Sequence, residues 1–238
     1  MLTSDSLFDG ELTVYQEKDG YRFSIDAVLL AGLTRVRASD KVIDLGTGCG
    51  VIPLILNHRK RGASYVGLEI QSELVALARK NIEINSLTDR IKILQMDFRE
   101  ASDHFRPESF DLLMSNPPYR RVHTGRINPN RQRAVARHEI AGSVAEVFAA
   151  GKFLLPTGGR LAVIYPASRL IYLLRVAHRF GFSPQRLVII HSDASSPAKL
   201  VHLESRKDGG DELLIEAPFC IYQDDGSYSK TMLKLYKK

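Results

Sequence analysis

From residue 41 onward the chain repeats one cycle: a short apolar run, a turn, then a stretch with helical periodicity. Lys41 to Leu45 reads as a buried strand, Val51 to His58 as a helix, Tyr65 to Leu68 as a strand, Ser72 to Asn85 as a helix and Ile91 to Gln95 as a strand. Strands at Phe110 to Ser115 and Arg160 to Tyr165 follow, with helices at Val144 to Leu155 and Ser168 to Phe180, then a strand at Arg186 to His191. Strands joined by helical crossovers run parallel, so the cycle predicts an α/β fold: a mostly parallel sheet with helices on both faces. Ligands in such folds bind at the carboxyl ends of the strands. At 238 residues the chain suits one domain with a substantial core, expected over 1–238.

Before the cycle, residues 1–39 form an extension to the core at 40–238. Leu12 to Tyr15 and Tyr21 to Phe23 read as strands of a hairpin turning at Asp19-Gly20. Ser24 or Asp26 can cap a helix through Ala27 to Ala31. After the cycle, Leu200 to Leu203 and Leu213 to Tyr222 read as β, with turns at Gly209-Gly210 and Asp225-Gly226.

Composition removes several classes. No apolar run approaches the roughly 20 residues of a membrane helix, and Asp5, Asp9 and Glu11 stand where a signal peptide would be basic. Cys49 and Cys220 lack zinc-site spacing and are too few for a disulfide framework, so no metal is expected and a reducing cytoplasmic setting is. A net charge of +6 points to a polyanionic partner chiefly through one segment. Between Pro117 and Ile140, Arg120, Arg121, Arg126, Arg131, Arg133 and Arg137 face one acid, Glu139.

The strand ends carry the chemistry. Asp44-Leu45-Gly46-Thr47-Gly48-Cys49-Gly50 runs from a strand through a glycine-rich turn into a helix, which lets backbone approach a nucleotide-like ligand. Glu69 closes the second strand about 20 residues on, where an acid can hold ribose hydroxyls; a surface capping carboxylate is the alternative. Asp97 closes the third, placed to accept from an adenine amino group with Phe98 packing on the ring, or simply to cap a helix. Asn116-Pro117-Pro118-Tyr119 follows the fourth strand. Its prolines lack amide donors, so the turn presents acceptors, suited to an amino-group substrate, with Tyr119 free to stack on a planar base. A plain loop is the competing reading.

Three successive strand ends of this kind resemble the class I S-adenosylmethionine-dependent methyltransferases, Rossmann-like enzymes. The resemblance spans Val42 to His191. It implies a seven-stranded sheet with an antiparallel last strand, S-adenosylmethionine as cofactor, and Asp44, Gly46, Thr47, Gly48, Gly50, Glu69, Ile70, Asp97, Phe98 and Asn116 around it. The Asn-Pro-Pro-Tyr motif resembles that of amino-directed enzymes acting on adenine N6 or glutamine N5, with Asn116, Pro117 and Tyr119 at the chemistry.

A wider likeness, in Gly20 to Ala31 and Ala136-Arg137-His138-Glu139, is to the bacterial family that methylates N6 of adenine 37 in a valine tRNA. It implies a flap over the cofactor from Phe23 to Leu30 with Asp26 as a contact, a packing helix being the alternative. It also implies RNA, in particular tRNA, as partner, with Tyr119 and the arginines of 120–138 as substrate contacts. Glu139 could orient Arg137 or favour a helix dipole. A glutamine N5 enzyme and a non-catalytic RNA-binding module are the competing functions; the first is disfavoured by the lack of a separate N-terminal helical domain.

Overall fold

A computed structural model describes residues 2–17, 22–59, 61–118 and 142–236. The core cycle forms, with one short helix, α4, that the reading lacked: β3 (Lys41–Leu45), α2 (Val51–His58), β4 (Ser64–Glu69), α3 (Ser72–Ile84), β5 (Ile91–Gln95), α4 (Ala101–His104), β6 (Leu112–Ser115), α5 (Val144–Leu154), β7 (Arg160–Pro166), α6 (Leu170–Arg179) and β8 (Phe182–His191). β9 (Ala198–Lys207) then returns antiparallel between β7 and β8. The sheet runs β5-β4-β3-β6-β7-β9-β8, and these neighbours are otherwise parallel. Two-residue strands, β10 (Leu214–Ile215) and β11 (Phe219–Cys220), add to β8, so the expected seven strands become nine.

Successive strand side chains point to opposite faces, and both faces are apolar because both are covered. Val42, Ala162 and Ile164 join one buried cluster with side chains of α1 (Ile25–Leu33), α2 and α3. Ile43, Leu161 and Val163 join a second, with Val147 and Phe148 of α5 and Leu173 and Val176 of α6. Ser143 starts α5 with a capping box, its hydroxyl accepting from the Glu146 N–H while Glu146 accepts from Ser143.

The N-terminal extension differs from expectation. β2 (Leu12–Glu17) pairs with β1 (Leu2–Leu7), upstream of it. The turn uses Asp9-Gly10, with φ of 54° and 97°, a dipeptide of the same kind as Asp19-Gly20, which lies outside the described residues. Arg22 and Phe23 form no strand. β1 was unreadable because Thr3-Ser4-Asp5-Ser6 carries no apolar alternation.

Two asparagines dock this hairpin. Asn81 of α3, fully buried, accepts from Tyr15 N–H at 2.8 Å and donates to the Tyr15 and Cys49 carbonyls at 3.0 Å each. Asn85 does the same for Thr13. At the other end of the chain, a short helix, α7 (Lys230–Lys234), follows where only β and a turn were expected; Ser229 caps it.

Candidate active site

Register alone brings the four strand ends into one row. Leu45 lies opposite Leu68 on one side and Ser115 on the other, and Glu69 lies opposite Gln95. Gly46, Glu69, Asp97 and Asn116 therefore surround one cavity. Gly48, Ile70, Phe98 and Pro117 also line it, as do Gln71, Leu74 and Met96, which the sequence reading missed. Gln71 and Met96 had a usable signal, since Gln71 stands two residues past Glu69 and Met96 immediately before Asp97. Asp26, Asp44, Thr47 and Gly50 are not among the lining residues.

The three glycines of the turn have separate tasks. All take left-handed φ, at 74°, 58° and 81° for Gly46, Gly48 and Gly50. A Cβ on Gly46 would meet nothing within 4 Å, so that position faces open space, whereas one on Gly50 would lie 3.3 Å from Ala78 Cβ of α3. Gly46 leaves open space on the cavity side, and Gly50 lets the turn pack closely on α3. The N–H groups of Gly46 and Thr47 both donate to the Leu68 carbonyl at 2.9 Å, which ties the turn to β4.

Gly67, in β4, sits behind this turn. A Cβ there would lie 2.8 Å from both Thr47 Cγ2 and Ile93 Cδ1. Gly67→Ala is expected to displace the turn and cost about 1–3 kcal/mol of stability. Chemical denaturation of the variant checks this, and an unchanged midpoint would contradict it.

Glu69 is 6% exposed and already half engaged. Its Oε2 accepts from Gly48 N–H and its Oε1 from Gln71 N–H, each at 3.0 Å. Burial pushes its pKa up, and these hydrogen bonds offset that in part. Each oxygen keeps further acceptor capacity.

Asp44 is buried beneath the turn, 2% exposed, and among the described residues neither of its oxygens completes a hydrogen bond of normal geometry. Burial pushes its pKa to about 7; the nearby Thr47 hydroxyl lowers it somewhat and the Glu69 charge raises it. A buried acid with a raised pKa stabilises the fold while neutral and loses that stability as pH rises from its ordinary value through about 7. The loss is on the order of 4 kcal/mol. Asp44→Asn should therefore melt higher than the parent at pH 8, with the difference shrinking at pH 5. Equal melting temperatures at pH 8 would contradict an ionised, unpartnered Asp44. Beside it, Cys49 is 1% exposed and burial pushes its thiol to about 12, so it is no nucleophile.

At Asp97 the capping alternative is realised. Its carboxylate accepts from Arg99 N–H at 3.0 Å and pairs with the Arg99 guanidinium. Burial alone would raise the Asp97 pKa, but the bonds from Arg99 outweigh it and hold the carboxyl below its ordinary value. Asp97 still lines the cavity as an ionised acceptor. Phe98 lines it too, with its ring held against Gly142: a Cβ on Gly142 would lie 2.3 Å from Phe98 Cζ.

Asn116, Pro117 and Pro118 complete the opposite wall. Ser115, fully buried, donates from Oγ to the Leu45 carbonyl at 2.8 Å, clamping the root of this segment to the root of the glycine turn. Asp26 sits in the first turn of α1, 9% exposed, with its pKa raised by burial. That helix packs into the core, in keeping with its alternative reading. Tyr119, Arg120, Arg121, Arg126, Arg131, Arg133, Arg137 and Glu139 lie outside the described residues.

A family model describing a methyltransferase small domain matches residues 24–166, from the start of α1 through the end of β7. The chain belongs to that methyltransferase family. The match contains every strand end that lines the cavity.

Relatives of this methyltransferase include proteins named tRNA1(Val) (adenine(37)-N6)-methyltransferase. One from Bacteroides fragilis is 30% identical over 190 residues, covering 79% of this chain and 78% of that one. Another, from Phocaeicola vulgatus, is 31% identical over 228 residues, covering 90% and 91%. A solved structure of a predicted O-methyltransferase from Agrobacterium tumefaciens superposes with a TM-score of 0.72 at 19% identity, covering 89% of this chain and 95% of that one. At that identity the likeness establishes the fold, a Rossmann-like methyltransferase sheet. Among the described residues no group of side chains could hold a metal ion, and no helix is long and apolar enough to cross a membrane.

Proposed function

We propose that this methyltransferase uses S-adenosylmethionine to methylate N6 of an adenine in RNA, specifically in a tRNA. The observation that carries the reading is the single cavity flanked by the Gly46 turn, Glu69 and Asn116-Pro117. The residues suit the cofactor: Gly46 leaves room for it, Glu69 retains acceptor capacity for ribose hydroxyls, and Asp44, buried behind the turn, has neither carboxylate oxygen in a hydrogen bond of normal geometry among the described residues. When bound, the cofactor supplies a methyl group already activated on a sulfonium sulfur.

The protein's task is then to present the acceptor. An N6 lone pair is delocalised into the adenine ring and attacks poorly unless oriented. The Asn116 side-chain oxygen and the Pro117 carbonyl can accept from the two N6 hydrogens and turn the lone pair toward the methyl group. Positioning of this kind supplies much of the rate without a strong base. Tyr119 as stacking platform and the arginines of 120–138 as phosphate contacts belong to the same proposal on the strength of the sequence alone.

RNA is favoured over a protein glutamine by that arginine-rich segment and by the tRNA substrate in the names of the relatives. Incubation with radiolabelled S-adenosylmethionine and unmodified bulk tRNA, followed by nucleoside analysis, should yield labelled N6-methyladenosine. Label confined to protein would overturn the RNA assignment.

A further inference from the structure

At the amino-terminal pole of the sheet, away from the active site, antiparallel pairing sets Arg160 of β7 directly opposite Arg206 of β9. Like charges at a cross-strand pair destabilise a sheet unless something neutralises them. Asp40 neutralises Arg160 at 2.5 Å. Arg206 is exposed and has no ion-pair partner among the described residues.

A broad cleft opens there, into which Arg35, Arg37, Arg61, Arg160, Arg186 and Arg206 all contribute. Of the two acids in its lining, Glu204 pairs with Arg186 at 2.9 Å, while Glu216, outside the lining, is shared between Arg186 at 2.7 Å and Arg35 at 2.9 Å. Among the described residues Arg37, Arg61 and Arg206 pair with no carboxylate, against one unpaired acid of the lining, Glu212.

The wall is rigidly built. Arg186 donates to the Leu33 carbonyl at 2.9 Å, Arg61 reaches the Thr34 carbonyl at 3.4 Å, and Arg160 bonds the Arg35 carbonyl. Glu204 and Asp40 accept from the Arg35 and Arg37 N–H groups at 3.0 and 2.6 Å. A planar guanidinium fork matches phosphate oxygens bidentately, and a fixed frame lowers the cost of binding.

We propose that this cleft binds phosphate groups through Arg37, Arg61 and Arg206, apart from the methyl-transfer cavity. β7, with seven residues, separates the two poles by about 20 Å. The phosphate is supplied either by the RNA backbone, in which case the proposal rests on the RNA reading above, or by a free phosphate compound.

The test variant is Arg37→Gln with Arg206→Gln, both exposed, compared with Lys92→Gln with Arg106→Gln, which removes the same charge elsewhere on the exposed surface. Unliganded melting temperatures of both variants should equal the parent's. In one arm, inorganic phosphate at constant ionic strength should raise the parent's melting temperature and that of the Lys92/Arg106 control, but not that of Arg37/Arg206. In the other, the slope of log K against log salt for tRNA should shrink by about 1.5 to 2 in Arg37/Arg206 relative to the control. A loss in the RNA arm, with or without one in the phosphate arm, identifies backbone phosphate; a loss in the phosphate arm alone identifies a free compound. Indistinguishable behaviour of the two variants in both arms overturns the proposal. Calorimetric S-adenosylmethionine binding and N6-methyladenosine formation are read separately, so failure here leaves the methyl-transfer reading standing.

Discussion

Asn116→Ala is expected to lower kcat for methyl transfer by about 10³-fold, the scale seen when one preorganised polar contact to a reacting group is removed. The side chain stands at the end of β6, beside the glycine turn, because Ser115 is clamped to Leu45 at 2.8 Å. Truncation leaves that clamp and the cofactor wall of Gly46 and Glu69 untouched. The dissociation constant for S-adenosylmethionine should therefore stay within about threefold of the parent's, a change of less than 1 kcal/mol. Single-turnover kinetics and calorimetry separate the two. A large loss of cofactor affinity with turnover intact would assign Asn116 to the cofactor and remove it from the chemistry.

Glu69→Gln should produce the opposite split. Both carboxylate oxygens accept backbone N–H groups in the unliganded protein, from Gly48 and Gln71. An amide must turn its NH2 toward one of those donors, which leaves a buried donor facing a donor. It also forfeits the charge-assisted bonds proposed to the ribose hydroxyls, each worth about 1.5–3 kcal/mol. Cofactor affinity is expected to fall by about 10² or more, corresponding to about 3 kcal/mol. At saturating cofactor, kcat should recover to near the parent value. Unchanged affinity would show that Glu69 serves the turn alone.

That these two positions line one cavity was readable because each stands at a strand end, and strand ends in a βαβ cycle converge whatever the details of packing. Asp97 shows where such reading stops. The spacing admitted an adenine contact and a cap equally, and Arg99, two residues on, settled its present engagement through a rotamer no pattern encodes. Asp26 is a second instance, since amphipathic spacing fits a flap and a packed helix alike, and only the tertiary structure shows how deeply its helix is buried against the core. Gly67 gave no signal at all. Its need for a bare Cα comes from Thr47 and Ile93, brought in by the glycine turn and by β5.

The sequence by itself determined the α/β cycle, the order in which turn, acid and Asn-Pro-Pro arrive, and hence a methyltransferase cavity, because those signals are local and periodic. Tertiary structure alone decided that β1 partners β2, that Asn81 joins the hairpin to the glycine turn, and that Arg206 faces Arg160. The last two depend on register between segments far apart in the chain, where a one-residue slip would turn every side chain to the other face, and the first on a polar strand without apolar alternation to mark it.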